Sequence, residues 1–263
     1  MKNVKFASIL GLALIFSLSS CMNKDALKKT LKENPEILYE AIKADPAEFM
    51  MVLQEAAQNA KGAMQEKKVE AEKKAFEESF SSPLKPMIRE NESVRGTKDG
   101  PLVLIEYSDF ECPFCSRGFE TVTKILEKYE GKVQFIYKHL PLSFHPAAMI
   151  AAQYYEAIRI QSEEKAFKFH DAIFANQRKL KNGKSFLDAE AKKLGVNMKK
   201  LAGDFNSEKV NKRIKEDMAE AAKFGIQGTP GFVLNGIPVK GAYPLDHFVK
   251  IVDELKKRNL VKL

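Results

Sequence analysis

Residues 102–115 read Leu-Val-Leu-Ile-Glu-Tyr-Ser-Asp-Phe-Glu-Cys-Pro-Phe-Cys, an apolar run that leads into a Cys-x-x-Cys pair. The run at 102–107 follows the turn residues Lys98-Asp99-Gly100-Pro101, which predicts a buried strand. Residues 113–129 then alternate with a helical period and stop before Gly131, which predicts a helix. The two cysteines therefore fall where a strand passes into a helix.

That position indicates redox chemistry. Unpaired N–H groups and the positive dipole end at a helix N-terminus stabilise an anion, so the first thiol ionises more easily. We expect Cys112 to be the nucleophile and Cys115 to resolve the mixed disulfide. A purely structural disulfide is the alternative. A zinc site is disfavoured because no second cysteine pair exists and the histidines are scattered, at His139, His145, His170 and His247.

The flanking sequence predicts an α/β domain. A second strand over 133–137, after the helix, predicts a parallel crossover. Helical periodicity then runs through about 146–224, and Asn235-Gly236 between apolar runs predicts a hairpin. An amphipathic helix over 245–258 closes the chain. The element order is βαβ, a helical insertion and ββα.

Two further positions suggest functional roles. Glu106 lies in the apolar strand, where a carboxylate is costly to bury, and a raised pKa would let it exchange protons with Cys115. The alternative for Glu106 is a rim position that faces water, and Lys138 is a candidate partner for it. Thr229-Pro230 stands at the third strand's entrance, where proline lacks the ladder donor and the peptide is either cis or an ordinary trans turn.

The N-terminus predicts an export signal. Lys2 and Lys5 precede a 13-residue apolar run, Phe6 to Leu18, which is shorter than the roughly 20 residues of a spanning helix. The ending Leu18-Ser19-Ser20-Cys21 resembles the bacterial lipoprotein processing box. That resemblance implies cleavage of residues 1–20 and lipid on Cys21. Met22 after the cysteine implies the outer membrane, facing the periplasm; an ordinary secretory signal is the alternative.

Residues 21–83 predict a charged helical arm. Asn34-Pro35 and Asp45-Pro46 each combine a capping side chain with proline at a helix start. A helical stripe follows at Phe49, Leu53, Ala56, Ala60 and Ala63, and Ser81 to Pro86 has a linker's composition. We expect the arm to be an oligomerisation stalk, with a spacer docked on its own domain as the alternative.

Composition excludes several classes of protein. At 44% hydrophobic and 30% charged residues the chain is that of a globular protein, and three cysteines are too few for a disulfide scaffold. The net charge of +8 includes Lys2 and Lys5 of the signal. The remaining excess is interspersed with acids over 99–263, which argues against nucleic acid as a partner.

Two motifs together resemble one family. Gly100 to Cys115, with Gly225-Ile-Gln-Gly-Thr-Pro-Gly-Phe-Val-Leu-Asn-Gly236, is similar to the DsbA-like thiol:disulfide oxidoreductases, and the resemblance covers about 84–263. It implies a thioredoxin fold with a helical insertion, Cys112 as nucleophile and Cys115 as resolving thiol. It also implies a cis Thr229–Pro230 peptide and Glu106 as the buried acid. No metal, nucleotide or flavin is implied.

We therefore predict an extracytoplasmic thiol:disulfide oxidoreductase, an oxidase or isomerase that acts on cysteines of exported proteins together with a separate redox partner. Pro113, Phe114, Thr229 and Pro230 are expected to contact the substrate. Phe114 replaces the histidine of the strongly oxidising founder enzyme, which predicts a potential between about −120 and −230 mV. The alternative is a non-enzymatic lipoprotein that holds copper or a partner protein through the cysteine pair.

Overall fold

The computed structural model describes residues 24–263, so the predicted signal and Cys21 lie outside the described residues. The chain divides into two units between Val69 and Glu70. This division lies inside a helix, ahead of the stretch at 81–86 that has a linker's composition.

The first unit is helical. Its elements are α1 (Lys24–Glu33), α2 (Glu36–Ala44) and the first part of α3 (Pro46–Ser81). Asp45 caps α3 as predicted, since its Oδ1 accepts the Glu48 N–H at 2.9 Å. The prediction that Asn34 caps α2 is wrong. The Asn34 amide instead donates to the Thr30 carbonyl at 3.0 Å, where it satisfies the carboxyl end of α1.

Apolar side chains of this unit face outward. No residue within 24–69 is buried. The large apolar side chains that are exposed there are Leu27, Ile37, Leu38, Tyr39, Met50, Met51, Val52, Leu53, Met64 and Val69. Within residues 24–263, no helix has the length and apolar character needed to cross a membrane.

The second unit is built on a five-stranded sheet of order β1-β3-β2-β4-β5. The strands are β1 (Arg95–Gly96), β2 (Leu102–Ser108), β3 (Val133–His139), β4 (Gly231–Leu234) and β5 (Ile237–Lys240). β2 and β3 pair in parallel around α4 (Pro113–Lys128), and the remaining pairs are antiparallel. The predicted thioredoxin arrangement, βαβ followed by ββα, is confirmed. Only the two-residue β1 has no signal in the sequence.

A helical insertion separates β3 from β4. It comprises α5 (Ala148–Gln161), α6 (Glu163–Ala175), a 3-10 helix (Gln177–Asn182), α7 (Lys184–Lys193), α8 (Met198–Asp204) and α9 (Glu208–Lys223). After it, Asn235 and Gly236 form the predicted hairpin with φ of 47° and 89°, the left-handed backbone that a two-residue turn requires. The closing helix is α10 (Leu245–Lys257).

The central strand β2 is buried on both faces. Leu102 and Leu104 face the larger cluster of buried side chains, which includes α4, α10 and the insertion. Ile105 and Tyr107 face a smaller cluster on the opposite side of the sheet. This double burial explains why β2 reads as a continuous apolar run rather than an alternating one.

The stretch before β1 is bound along the second unit. The Leu84 N–H donates to the Gly236 carbonyl at 2.9 Å, and the Arg89 guanidinium meets the buried Asp217 carboxylate at 2.7 Å. Phe80, at the end of α3, is buried beneath the Arg258 guanidinium, 4.2 Å from the ring centre. Residues 70–94 are therefore structural parts of this unit.

Candidate active site

The two cysteines lie at the first turn of α4, where the β2 chain leaves the sheet. Cys112 is the N-cap, with φ −72° and ψ 121°, and Pro113 occupies the first turn, where a helix tolerates proline. The Cys115 N–H donates to the Cys112 carbonyl at 3.0 Å, which closes the turn. Both are free thiols. Cys112 is 4% exposed and Cys115 is fully buried, whereas Phe114 between them is 53% exposed.

The two thiols have opposite acidities. A hydrogen bond from Cys115, with help from the backbone N–H groups of Phe114 and Cys115, lowers the pKa of Cys112 to about 5. Burial, followed by the interaction with Cys112 and the charge of Glu106, raises the pKa of Cys115 well above its ordinary value. Cys112 is therefore a thiolate at neutral pH, while Cys115 keeps its proton.

The chain between α9 and β4 reaches the first cysteine. The Cys112 sulfur lies 3.4 Å from the Thr229 carbonyl oxygen, to which the thiol donates when it is protonated. The Thr229–Pro230 peptide is cis, which confirms that prediction. Pro230 packs against α4 at Gly118, where an added Cβ would lie 3.2 Å from the proline ring. Gly118 thus lets the helix approach this loop closely.

Glu106 is fully buried and its charge acts on Cys115, so the alternative of a rim residue is wrong. Its Oε1 accepts the Ser108 hydroxyl at 2.7 Å, and its Oε2 has no hydrogen-bond partner in the described chain. Burial raises the pKa of Glu106 to about 8, against the lowering effect of Ser108. A carboxyl group at this pKa can accept and release a proton near neutral pH.

Lys138 does not pair with Glu106, and the suggestion that it does is wrong. Glu106 aligns with Tyr137 across β2 and β3, whereas Lys138 aligns with Tyr107 and points to the opposite face of the sheet. There the Lys138 ammonium pairs with Glu220, which also accepts the Tyr107 hydroxyl at 2.6 Å.

Asp109 is a site residue that the sequence reasoning missed. Its backbone N–H donates to the Cys115 sulfur at 3.4 Å. Its carboxylate accepts the N–H groups of Glu111 at 2.7 Å and Leu142 at 2.8 Å, and it meets His145 Nδ1 at 2.8 Å. Asp109 thereby holds the β2–α4 connection in place, and its position directly after a strand was the only signal for this role.

Gln177 was missed as well. From the 3-10 helix of the insertion, its amide donates to the carbonyl of Phe110 at 2.9 Å and to that of Cys112 at 2.8 Å. The insertion therefore positions the backbone of the first cysteine. No local pattern marks this residue, because the contact joins positions 65 residues apart in the chain.

Three predicted site residues remain, two of them at the protein surface and one outside the described residues. Pro113 and Phe114 lie at the surface beside Cys112, and Cys21 lies outside the described residues. In the part of the chain that the structure describes, no group of three or more His, Cys, Asp or Glu side chains is placed to hold a metal ion.

Comparisons with known proteins agree with this fold. A family model described as thioredoxin matches residues 88–254. A thioredoxin-like oxidoreductase from Silicibacter pomeroyi DSS-3 is 26% identical, with a TM-score of 0.57 over 64% of this chain and 94% of that one. Wolbachia pipientis alpha-DsbA1 is 24% identical, with a TM-score of 0.58 over 66% of this chain and 95% of that one.

Curated relatives match only in part. The Na(+)/H(+) antiporter NhaA 1 of Mycolicibacterium vanbaalenii is 31% identical over 173 residues, which is 65% of this chain and 27% of the antiporter. The chain thus spans about a quarter of the length of the curated relatives it matches. The similarity concerns that shared segment.

Proposed function

The chain belongs to the thioredoxin family, and from that premise we propose that it is a thiol:disulfide oxidoreductase that exchanges disulfides with cysteines of exported proteins. The observation that carries the proposal is the pairing of an ionised thiol at a helix N-cap with a buried, protonated thiol one turn later. A structural disulfide has no need of this asymmetry. Exchange needs this asymmetry, because one sulfur must attack the substrate as a thiolate while the other stays protonated until the mixed disulfide has formed.

The exchange step follows from the two acidities. The Cys112 thiolate attacks one sulfur of a substrate disulfide, a Cys112–substrate disulfide forms, and the other substrate sulfur leaves as a thiolate. Cys115 then loses its proton and attacks the Cys112 sulfur, which releases the second substrate thiolate. The protein dithiol is oxidised by two electrons and the substrate disulfide is reduced to two thiols. Run in reverse, the same steps oxidise a substrate dithiol.

Glu106 is the proposed acceptor of the Cys115 proton. The carboxyl group is fully buried, and its charge acts on the pKa of Cys115. With a pKa of about 8, Glu106 is ionised in roughly a tenth of the molecules at pH 7, and in that form it takes the proton when Cys115 attacks and returns it when Cys115 leaves. We propose this as a proton-transfer role, distinct from the nucleophilic roles of the cysteines.

Reduction of insulin and refolding of scrambled ribonuclease test the proposal. The purified chain is expected to catalyse both. Failure of both, with Cys112 still reactive, would favour the non-enzymatic alternative that binds copper or a partner protein. A third assay, oxidation of reduced ribonuclease, separates the modes: an isomerase acts as the dithiol on scrambled ribonuclease, and an oxidase acts as the disulfide on reduced ribonuclease.

We propose a bacterial extracytoplasmic location with a lipid anchor on Cys21, at the outer membrane and facing the periplasm. The support is the sequence Leu18-Ser19-Ser20-Cys21 behind a short apolar run. Cells fed labelled palmitate are expected to label the wild type and not Cys21→Ala. Equal labelling of the two would contradict the anchor and leave the exchange chemistry untouched.

We propose that the arm mediates self-association. An isolated helix is marginally stable in water, and the first unit exposes large apolar side chains along α2 and α3. In the soluble form that lacks residues 1–21, Leu53→Glu on the stripe is expected to reduce the mass by light scattering to that of one chain. Gln54→Glu, which adds the same charge beside the stripe, is the control. A monomeric wild type would contradict the proposal.

A further inference from the structure

A groove of about 580 Å³ borders the candidate active site. Its walls are the first turns of α4, the loop at 225–230 and the residues that follow β5. Phe114, Thr229 and Pro230 belong both to this groove and to the surroundings of Cys112. A peptide whose cysteine is bonded to Cys112 therefore has the groove as its neighbouring surface.

The groove carries charge of one sign. Its lining includes two cations, Arg117 from α4 and Lys240 from the end of β5, and no carboxylate. Within residues 24–263, no Asp or Glu oxygen lies within 4 Å of either cation. Both side chains are exposed. They are therefore available to an anionic ligand.

Packing holds both cations near the groove. The Arg117 guanidinium lies over the Phe114 ring, 4.4 Å from its centre. The Lys240 ammonium lies against the loop at 225–230, 3.7 Å from the position of a Cβ on Gly225. The two positive charges thus come from separate elements and meet at one groove, beside the exposed ring that follows the nucleophile.

We propose that this groove selects substrate segments that carry Asp or Glu within a few residues of the reacting cysteine. The inference rests on the proposed exchange function and specifies its substrate class. An exposed ion pair contributes modestly, so two of them predict a preference of roughly three- to tenfold for an acidic over a neutral peptide at low salt. Because the charges are exposed, the preference is expected to fall as ionic strength rises.

The test uses the oxidised soluble chain and three peptides of one length, each with two cysteines four residues apart. The residues beside the cysteines are Glu, Gln or Lys. The protein disulfide is reduced as the peptide dithiol is oxidised, and acid-quenched samples are separated by chromatography. Each rate is divided by that peptide's rate with the uncharged bis(2-hydroxyethyl) disulfide, which removes the effect of neighbouring charge on the reactivity of the peptide thiols.

The wild type is expected to prefer Glu over Gln over Lys peptides. The ratio of Glu to Gln rates should fall toward 1 in Arg117→Gln/Lys240→Gln, and the order should invert in Arg117→Glu/Lys240→Glu. Comparing peptides within one variant cancels any change at Cys112. Lys199→Gln/Lys200→Gln, at two exposed positions on α8 that do not line the groove, removes the same number of positive charges; it is the control for net charge and should keep the wild-type ratio.

Two outcomes separate the inference from the function on which it rests. Oxidation of the Gln peptide with no preference for Glu, or a preference that survives in Arg117→Gln/Lys240→Gln, would overturn the acidic specificity alone. No oxidation of any peptide by the wild type would overturn the exchange function itself.

Discussion

Cys112→Ser is expected to lower the rate of insulin reduction by at least about 10³-fold, to the uncatalysed background. A serine hydroxyl is not ionised at neutral pH, so the helix N-cap has no anion to stabilise and the first bond of the exchange cannot form. Cys115→Ala should fail differently. The nucleophile remains, but nothing releases the substrate, and covalent complexes with exported proteins should accumulate and disappear on reduction with dithiothreitol.

Alkylation provides the control for these variants. With the pKa of Cys112 at about 5, its thiolate is nearly fully formed at pH 6, whereas an ordinary cysteine is almost wholly protonated. The lower intrinsic nucleophilicity of an acidic thiol offsets most of this advantage, which leaves a net gain of about tenfold over a free cysteine at pH 6. That gain is expected of the wild-type dithiol, and Cys115→Ala should show less of it because the variant loses the hydrogen bond from Cys115. If Cys112 of Cys115→Ala is still alkylated at pH 6 faster than a free cysteine and the variant traps no protein, the exchange mechanism is wrong.

The sequence predicts most of the fold because the main signals are local. The apolar run of β2, the turn at Asn235-Gly236 and the helical periods each depend on a few neighbouring residues. The βαβ and ββα order inferred from them is present, and so are the thioredoxin fold and the cis peptide before Pro230 that the family resemblance implied. The signal that locates the cysteine pair is also local, because a predicted strand leads directly into the helix that carries the pair.

The side chains that orient the site are harder to predict from sequence. Gln177 reaches Cys112 only because the insertion folds over α4, and no pattern in either segment encodes that contact. The partner of Lys138 is equally hard to predict, because Glu220 comes from α9, far along the chain. Asn34 resembles a helix cap in sequence, yet it satisfies the preceding helix instead. Tertiary packing thus decides the partners of Gln177 and Lys138, whereas Asn34 has two local options and takes the carbonyl four residues before it.

Glu106→Gln is expected to make the reduced protein more stable at alkaline pH and slower in exchange. Burial raises the pKa of Glu106 from an ordinary 4.5 to about 8. Below pH 4.5 the folded and unfolded states both hold the proton, so Glu106 does not lower the free energy of unfolding. Between pH 4.5 and 8 the unfolded chain releases a proton that the folded protein keeps, so the free energy of unfolding falls as pH rises. Above pH 8 the penalty is constant.

Glutamine has no proton to lose, so the variant escapes that penalty while its side-chain oxygen can still accept the Ser108 hydroxyl. Urea unfolding in excess dithiothreitol should show little difference between the proteins at pH 4. The variant's advantage should grow up to pH 8 and level off at up to about 4 kcal/mol. Glu120→Gln, at an exposed position on α4, is the matched control and should stay within about 0.5 kcal/mol of wild type throughout.

The same substitution removes the acceptor for the Cys115 proton. Resolution of the Cys112 mixed disulfide should slow by roughly 10- to 100-fold, so the intermediate should build up in quenched samples of the variant, while initial attack by Cys112 keeps its rate. A stability gain without slower resolution would show that Glu106 is buried but transfers no proton. Slower resolution without the pH-dependent gain would show that the carboxyl group is ionised in the folded protein. The proposed role requires both effects, because burial raises the pKa of Glu106 to about 8 and so makes its carboxylate a stronger base for the Cys115 proton than an ordinary carboxylate is.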